Sequence, residues 1–162
     1  MIDALKGRPI AQVGILVDDL DEALRRYAEL WEGAGPWRVY TYGPDFIPDF
    51  RYRGAQATCS VRIALGAQTP HVELLQPLGG GPSVYDGFGP GLHHLGIFVP
   101  SHAEAVAELE RAGYEAIQTG AGYGLDGDGG FAYWDTVSEL GVIVETIEVP
   151  KRRRDPELVL PG

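Results

Sequence analysis

Short apolar, β-branched runs alternate along this chain with stretches of helical period, and the order repeats in the two halves. Residues 10–17 predict a strand buried on both faces. Asp18, Asp19 and Asp21 then supply an N-cap and first-turn negative charge for a helix over 20–31, whose apolar stripe is Ala23, Leu24, Tyr27 and Leu30. Strands follow at 37–42, 55–65 and 71–76, with a proline-containing loop at 43–48. A glycine- and proline-rich linker, 77–91, separates the halves. The second half predicts a strand at 92–99, a helix at 102–112 stopped by Gly113, and strands near 114–118, 131–135 and 142–149. The glycine-rich segment 120–130, between the strands at 114–118 and 131–135, reads as a mobile flap. The order is strand, helix, strand, strand, strand, twice.

The repeat extends to individual residues. Gln12-Val-Gly-Ile-Leu-Val17 in the first half matches His94-Leu-Gly-Ile-Phe-Val99 in the second, and Val72-Glu73-Leu74-Leu75 matches Val144-Glu145-Thr146-Ile147. Self-similarity of this kind marks a duplicated supersecondary unit. Neither copy closes a sheet alone, so the two should pack around a shared concavity. The matched positions hold Gln12, Glu73, His94 and Glu145, side chains that all ligate divalent metals. Strand alternation puts a glycine on the same face two residues beyond Gln12 and beyond His94, which keeps that face open. It also surrounds each carboxylate with aliphatic neighbours, a costly site for a buried charge unless a cation compensates it. His71 shares the face of Glu73. His93 is expected on the opposite face from His94, in core packing or a backbone hydrogen bond. The fold class expected is α+β: two tandem βαβββ modules, 8–76 and 92–149, within one domain 1–162, forming a curled mixed sheet around a metal-binding cleft. Residues 150–162 are expected as a tail.

Composition narrows the partners. The 162 residues are 44% hydrophobic and 22% charged, ordinary for one globular domain. A net charge of −10 disfavours both nucleic acid and an anionic membrane surface. The basic run 151–154, beside Asp155 and Glu157, reads as a solvated, partly self-neutralised tail. Cys59 is the only cysteine, which rules out an intrachain disulfide and a multi-cysteine zinc site. With no apolar run near the ~20 residues that span a bilayer, the chain reads as cytoplasmic. Residues 120–130 lack the spacing of a nucleotide loop, and Asp126 and Asp128 lack the remaining ligands of a calcium loop.

The Gln12-Val-Gly-Ile and His94-Leu-Gly-Ile strands, with Glu73 and Glu145, resemble the vicinal oxygen chelate superfamily. That superfamily includes glyoxalase I, methylmalonyl-CoA epimerase, extradiol dioxygenases and antibiotic-resistance proteins, and the resemblance runs from about residue 10 to 149. It implies one divalent metal (Zn, Ni, Co, Mn or Mg) held by Gln12, Glu73, His94 and Glu145. The ligand set is similar to that of a zinc-type glyoxalase I. The Gly-Leu-His-His-Leu-Gly motif looks more like the epimerase branch, which usually has His where this chain has Gln12. The reaction class implied is proton transfer α to a carbonyl, by an epimerase, isomerase or glyoxalase-type lyase, with Glu145 as base and Glu73 as second choice. His71, Arg51, Arg53 and, by resemblance, Tyr133 are candidate substrate contacts, although an exposed hairpin explains the two arginines equally well. A small-molecule substrate and a homodimer are expected. Two alternatives stay open: an iron dioxygenase taking a second His from His71 or His93, and a non-catalytic binding or resistance protein. The latter would use a cavity lined by Trp37, Tyr40, Tyr42, Phe98 and Tyr133.

Overall fold

The computed structural model describes residues 2–31 and 33–161. Strand β1 (Gln12–Leu16) leads into helix α1 (Leu20–Leu30), β2 (Trp37–Tyr42), a hairpin of β3 (Asp49–Tyr52) and β4 (Ala55–Gln56), then β5 (Ser60–Gly66) and β6 (His71–Gly79). The second half comprises β7 (Gly91–Phe98), α2 (His102–Arg111), β8 (Ala116–Ala121), β9 (Gly130–Trp134), the single turn α3 (Val137–Leu140), β10 (Ile143–Glu148) and β11 (Leu158–Leu160). Both long helices start where a side chain satisfies a free backbone amide. The Asp19 carboxylate accepts from Glu22 N at 2.9 Å, and the Ser101 hydroxyl from Glu104 N at 3.2 Å. Helix α1 buries Leu20 and Leu24 against Trp37, Val39, Ala64 and Leu74. Leu109 of α2 packs with Ala132 and Trp134. The helices therefore cover one face of the sheet and leave the other for the cleft.

All eleven strands join one mixed sheet, in the order β11-β2-β5-β6-β1-β7-β10-β9-β8-β3-β4. In each half the first strand pairs in parallel with the last, β1 with β6 and β7 with β10, and β1 meets β7 antiparallel at the central seam. This is the α+β architecture of two βαβββ modules in a curled mixed sheet. The β3–β4 hairpin, inserted between β2 and β5 of the first half, crosses to the far edge and pairs with β8 of the second. The two halves are thereby laced together on both sides of the cleft.

Several elements differ from expectation. The single strand expected at 55–65 is broken into β4 and β5, and β3 lies in a stretch to which no strand had been assigned. The segment 77–91 is more than a linker: β6 runs into it to Gly79, and its middle buries Val84 and Tyr85 in the core. A turn closed by Asp86, which accepts from both the Ser83 amide and hydroxyl, holds that insertion in place. Residues 120–130 are a hydrogen-bonded turn rather than a free flap, with Gly122 N donating to Gly129 O and Gly124 N to Asp128 O. The expected tail returns to the sheet, where Leu158–Leu160 pair with β2. No helix among the described residues is long and apolar enough to cross a membrane.

Candidate metal centre

Strand register explains why the matched residues of the repeat meet. Across the antiparallel seam Gln12 lies opposite Gly96, and Gly14 opposite His94. The parallel neighbours add Glu73 beside Gly14 and Glu145 beside Gly96. Each glycine thus makes room for the other copy's polar residue rather than its own. A Cβ at position 14 would stand 2.0 Å from the His94 ring, and one at position 96 would stand 2.8 Å from Gln12 Cβ.

The result is a buried polar quartet on the concave face. His94 Nε2 lies 3.2 Å from both Glu73 Oε2 and Glu145 Oε2. Gln12 Nε2 donates to Glu73 Oε2 at 2.8 Å and stands 3.5 Å from Glu145 Oε2. All four residues are buried, His94 completely. Burial would push the His94 imidazole down, but Glu145 and Glu73 carry it up to about 9. Burial raises the Glu145 carboxyl, opposed first by the neighbouring His94.

His93 is not on the opposite face. The β1–β7 register slips between Gly14 and Ile15, leaving His93 as the extra residue of a β-bulge. A bulge turns two successive side chains toward the same side. His93 Nδ1 consequently lies 3.0 Å from His94 Nδ1, while His93 Nε2 lies 3.1 Å from Val84 O. A carbonyl only accepts, so His93 Nε2 carries the proton and donates to Val84. Burial and the neighbouring His94 lower His93 to about 4, which keeps it neutral and leaves Nδ1 as an acceptor. His94 Nδ1 must then be the donor, and His94 Nε2 is the atom presented to the carboxylates. Although both oxygens are at hydrogen-bonding distance, neither lies along the Nε2–H direction, and the atom makes no hydrogen bond.

A buried nitrogen aimed between two buried carboxylates, rather than at either, is the arrangement a shared cation satisfies. Glu73, His94 and Glu145 each offer a ligand atom within 4.8 Å of the others. This donor set suits a divalent ion of mixed N/O preference. Gln12 faces the carboxylates with its amide nitrogen, so it becomes an oxygen donor only by turning the amide over. His71 and His93 are outside the cluster: His71 Nδ1 donates to Gly66 O at 2.8 Å.

Two contiguous cavities open from the quartet. The inner one, about 70 Å³, is walled by apolar side chains including Ile63, Leu75, Phe98 and Phe131, with Glu73, Glu145 and Tyr133 at its floor. The outer one, about 290 Å³, shares Gln12 and Phe98 with it and contains His71 and Tyr40. Tyr133 faces the cleft, whereas Trp134 points into the helix layer and donates Nε1–H to Thr146 Oγ1 at 3.0 Å. Trp37, expected in the cavity, packs instead against α1 with Tyr27. Arg51 and Arg53 are not brought to the cleft. The alternation of β3 turns Phe50 and Tyr52 inward, leaving Arg51 paired with Asp49 at 3.1 Å on the outside. Arg53, at a turn with φ 46, stands 3.9 Å from Glu115 and 4.0 Å from Asp135. Cleft residues not anticipated from the sequence are Tyr85, Gln118, Tyr123 and Arg153. None of these lies in the repeat, and Tyr123 sits in a glycine-rich stretch with no strand pattern.

The profile of the Glyoxalase/Bleomycin resistance protein/Dioxygenase superfamily matches residues 11–133, and the chain belongs to that superfamily. No curated protein sequence matches the chain. Among solved structures, methylmalonyl-CoA epimerase from Mycobacterium tuberculosis is 21% identical, with a TM-score of 0.60 over 93% of this chain and 94% of that one. The hypothetical protein BH1468 from Bacillus halodurans C-125 is 22% identical, with a TM-score of 0.58 over 93% and 100%. A variant of Streptomyces coelicolor methylmalonyl-CoA epimerase in complex with 2-nitronate-propionyl-CoA is 17% identical, with a TM-score of 0.60 over 87% and 96%. At these identities the likeness is one of fold.

Proposed function

We propose that this chain is a metal-dependent enzyme of the superfamily that moves a proton α to a substrate carbonyl, as an epimerase, isomerase or glyoxalase-type lyase. The observation that carries this reading is the pair of buried carboxylates, one from each module, which flank a fully buried imidazole and line an apolar cleft. Glu73, His94 and Glu145 would hold the ion, with Gln12 as a fourth donor through its amide oxygen. When bound, such an ion supplies Lewis-acid polarisation of the substrate carbonyl, which acidifies the adjacent C–H. Glu145 is the base: burial raises its proton affinity above that of a free carboxyl, and Tyr133 stands opposite it on the neighbouring strand. Glu73 reaches the floor from the opposite module and can take or return a proton at a second position, as epimerisation requires. The apolar walls exclude water from the exchanging proton. The likeness to methylmalonyl-CoA epimerases supports the isomerase branch at the level of fold.

An iron dioxygenase is disfavoured by the donors themselves, since neither His71 nor His93 joins His94 in the cluster. The test is solvent deuterium incorporation into 2-substituted acyl thioesters, 2-oxo acids and hemithioacetals by metal-loaded protein. Exchange in the wild type, abolished in Glu145→Gln with metal still bound, is expected. Tight binding of a ligand without any exchange would overturn the enzymatic reading in favour of a sequestering protein.

A further inference from the structure

The segment after β10 does not trail into solvent. It runs from the second module across the mouth of the cleft to the outermost strand of the first, and it is fastened at both ends. At the near end Lys151 N donates to Asp128 Oδ2 at 2.9 Å, Arg152 pairs with Asp126, and Leu125 N donates to Arg152 O at 3.0 Å. At the far end Glu157 N donates to Val39 O at 2.9 Å, Thr41 N donates to Glu157 Oε1 at 3.0 Å, and β11 adds to β2. Arg153 lies between these anchors and lines both the inner and the outer cavity. Arg38 and Arg154 line the outer cavity with it, against the single carboxylate of Asp155. Arg154 is engaged, donating to Tyr123 O at 3.3 Å and lying over the Phe46 ring. Arg153 and Arg38 have no ion pair and no side-chain hydrogen bond among the described residues. A chain of net charge −10 therefore places two guanidinium groups, neither ion-paired among the described residues, at a cavity that adjoins its buried carboxylates.

We propose that Arg153, facing Arg38 across the outer cavity, forms an oxyanion subsite, and that the substrate carries a carboxylate or phosphate remote from its reacting carbonyl and separated from it by an apolar spacer. The spacer fits because the wall between the quartet and Arg153 is aliphatic and aromatic. The anion fits because a guanidinium fork recognises an oxyanion through two parallel hydrogen bonds, and because a positive rim draws anions toward a cleft. This inference rests on the same cleft being the substrate site, and it names the class of molecule that enters.

The probes are 2-oxo diacids from 2-oxoglutarate to 2-oxosuberate, each matched with the 2-oxo monoacid of the same chain length. Binding is measured by calorimetry with and without Mn²⁺. One diacid of the series is expected to bind about tenfold more tightly than its monoacid, with an advantage that shrinks as salt is added. In Arg153→Gln the ratio should fall to about one, while monoacid affinity and metal content stay unchanged. Arg38→Gln should lower the ratio less. A terminal phosphonate in place of the distal carboxylate separates the two oxyanions, since tighter binding assigns phosphate and weaker binding assigns carboxylate. A ratio near one across the wild-type series, an advantage that survives Arg153→Gln, or no binding of either probe overturns the subsite. Deuterium exchange is scored separately. A diacid preference without exchange defeats the proton-transfer reading and leaves the subsite standing, and exchange without a preference does the reverse.

Discussion

The His93–His94 contact allows tautomer control and packing to be pulled apart. His93 makes two hydrogen bonds with opposite tasks: Nδ1 accepts from His94, and Nε2 donates to Val84 O. An Asn amide oxygen can occupy the place of Nδ1 but cannot reach Val84. A Gln amide nitrogen can occupy the place of Nε2 but leaves His94 without its acceptor. His93→Gln should therefore free the His94 ring to turn over and weaken metal binding about 10- to 100-fold, or about 1.4 to 2.8 kcal/mol, while leaving the metal-free fold nearly as stable as before. His93→Asn should keep metal affinity within a few-fold but strand the buried Val84 carbonyl, at about 1–3 kcal/mol of stability. Zinc affinity is read by competition with a chromophoric chelator, and stability by denaturant melts of chelator-treated protein. If both variants lose affinity and stability in parallel, His93 is only a packing residue. If both keep wild-type affinity, the tautomer argument is wrong.

Other outcomes follow from the same geometry. Gly14→Ala drives a methyl into the His94 ring, 2.0 Å from Cε1, and should abolish stoichiometric metal binding as measured by elemental analysis. Gly96→Ala meets Gln12 Cβ at 2.8 Å and the movable Ile147 Cδ1 at 3.0 Å, so it should cost about 1–3 kcal/mol of stability and weaken metal binding only in part. Stability of the metal-free protein should fall as pH rises from 6.5 through 9. The His94 imidazole, held up to about 9, contributes fully below 6.5 and loses that contribution as pH rises through 9, with a slope of at most about 1.4 kcal/mol per pH unit. The raised Glu145 also loses its contribution as pH rises above 4.5, whereas His93, depressed to about 4, contributes in the opposite sense between 4 and 6.5. Zinc should remove the alkaline decline, and a metal-free melting temperature that stays flat between pH 6.5 and 9 would refute the assignment.

Strand periodicity and the internal repeat were enough to read the two βαβββ modules and to group Gln12, Glu73, His94 and Glu145, because those features depend on residues close in sequence. Strand alternation required that one of Tyr133 and Trp134 face the cleft, and the family resemblance pointed to Tyr133. His93 was misplaced because simple alternation sends it away from His94, and only a slip in pairing with a strand some eighty residues earlier reverses it. Whether Arg51 and Arg53 contact substrate or sit on an exposed hairpin stays open in the sequence for the same long-range reason. The pairing of β3 with β8 decides which side of the hairpin faces the core, and nothing local to residues 49–53 records it. Arg153 was hidden in a basic run whose acidic neighbours suggested self-neutralisation. In the fold Glu157 serves elsewhere, on Thr41, the loop carboxylate of Asp126 takes Arg152, and Asp155 stays beside the outer cavity.

The reciprocal seating of Gln12 on Gly96 and of His94 on Gly14 is the contact pattern of an isologous interface, where patch i meets patch j and patch j meets patch i. Between identical, unlinked modules any substitution at such a seam appears twice, and every donor has a twin. Tandem linkage releases that constraint. One seat can hold an amide and the other an imidazole. The strand residue opposite Glu73 can be Leu65, while the one opposite Glu145 is Tyr133. The two carboxylates thus share a backbone setting but face different side chains across the strand, one aliphatic and one phenolic. A division of labour between them is something that only a single chain carrying both copies can encode.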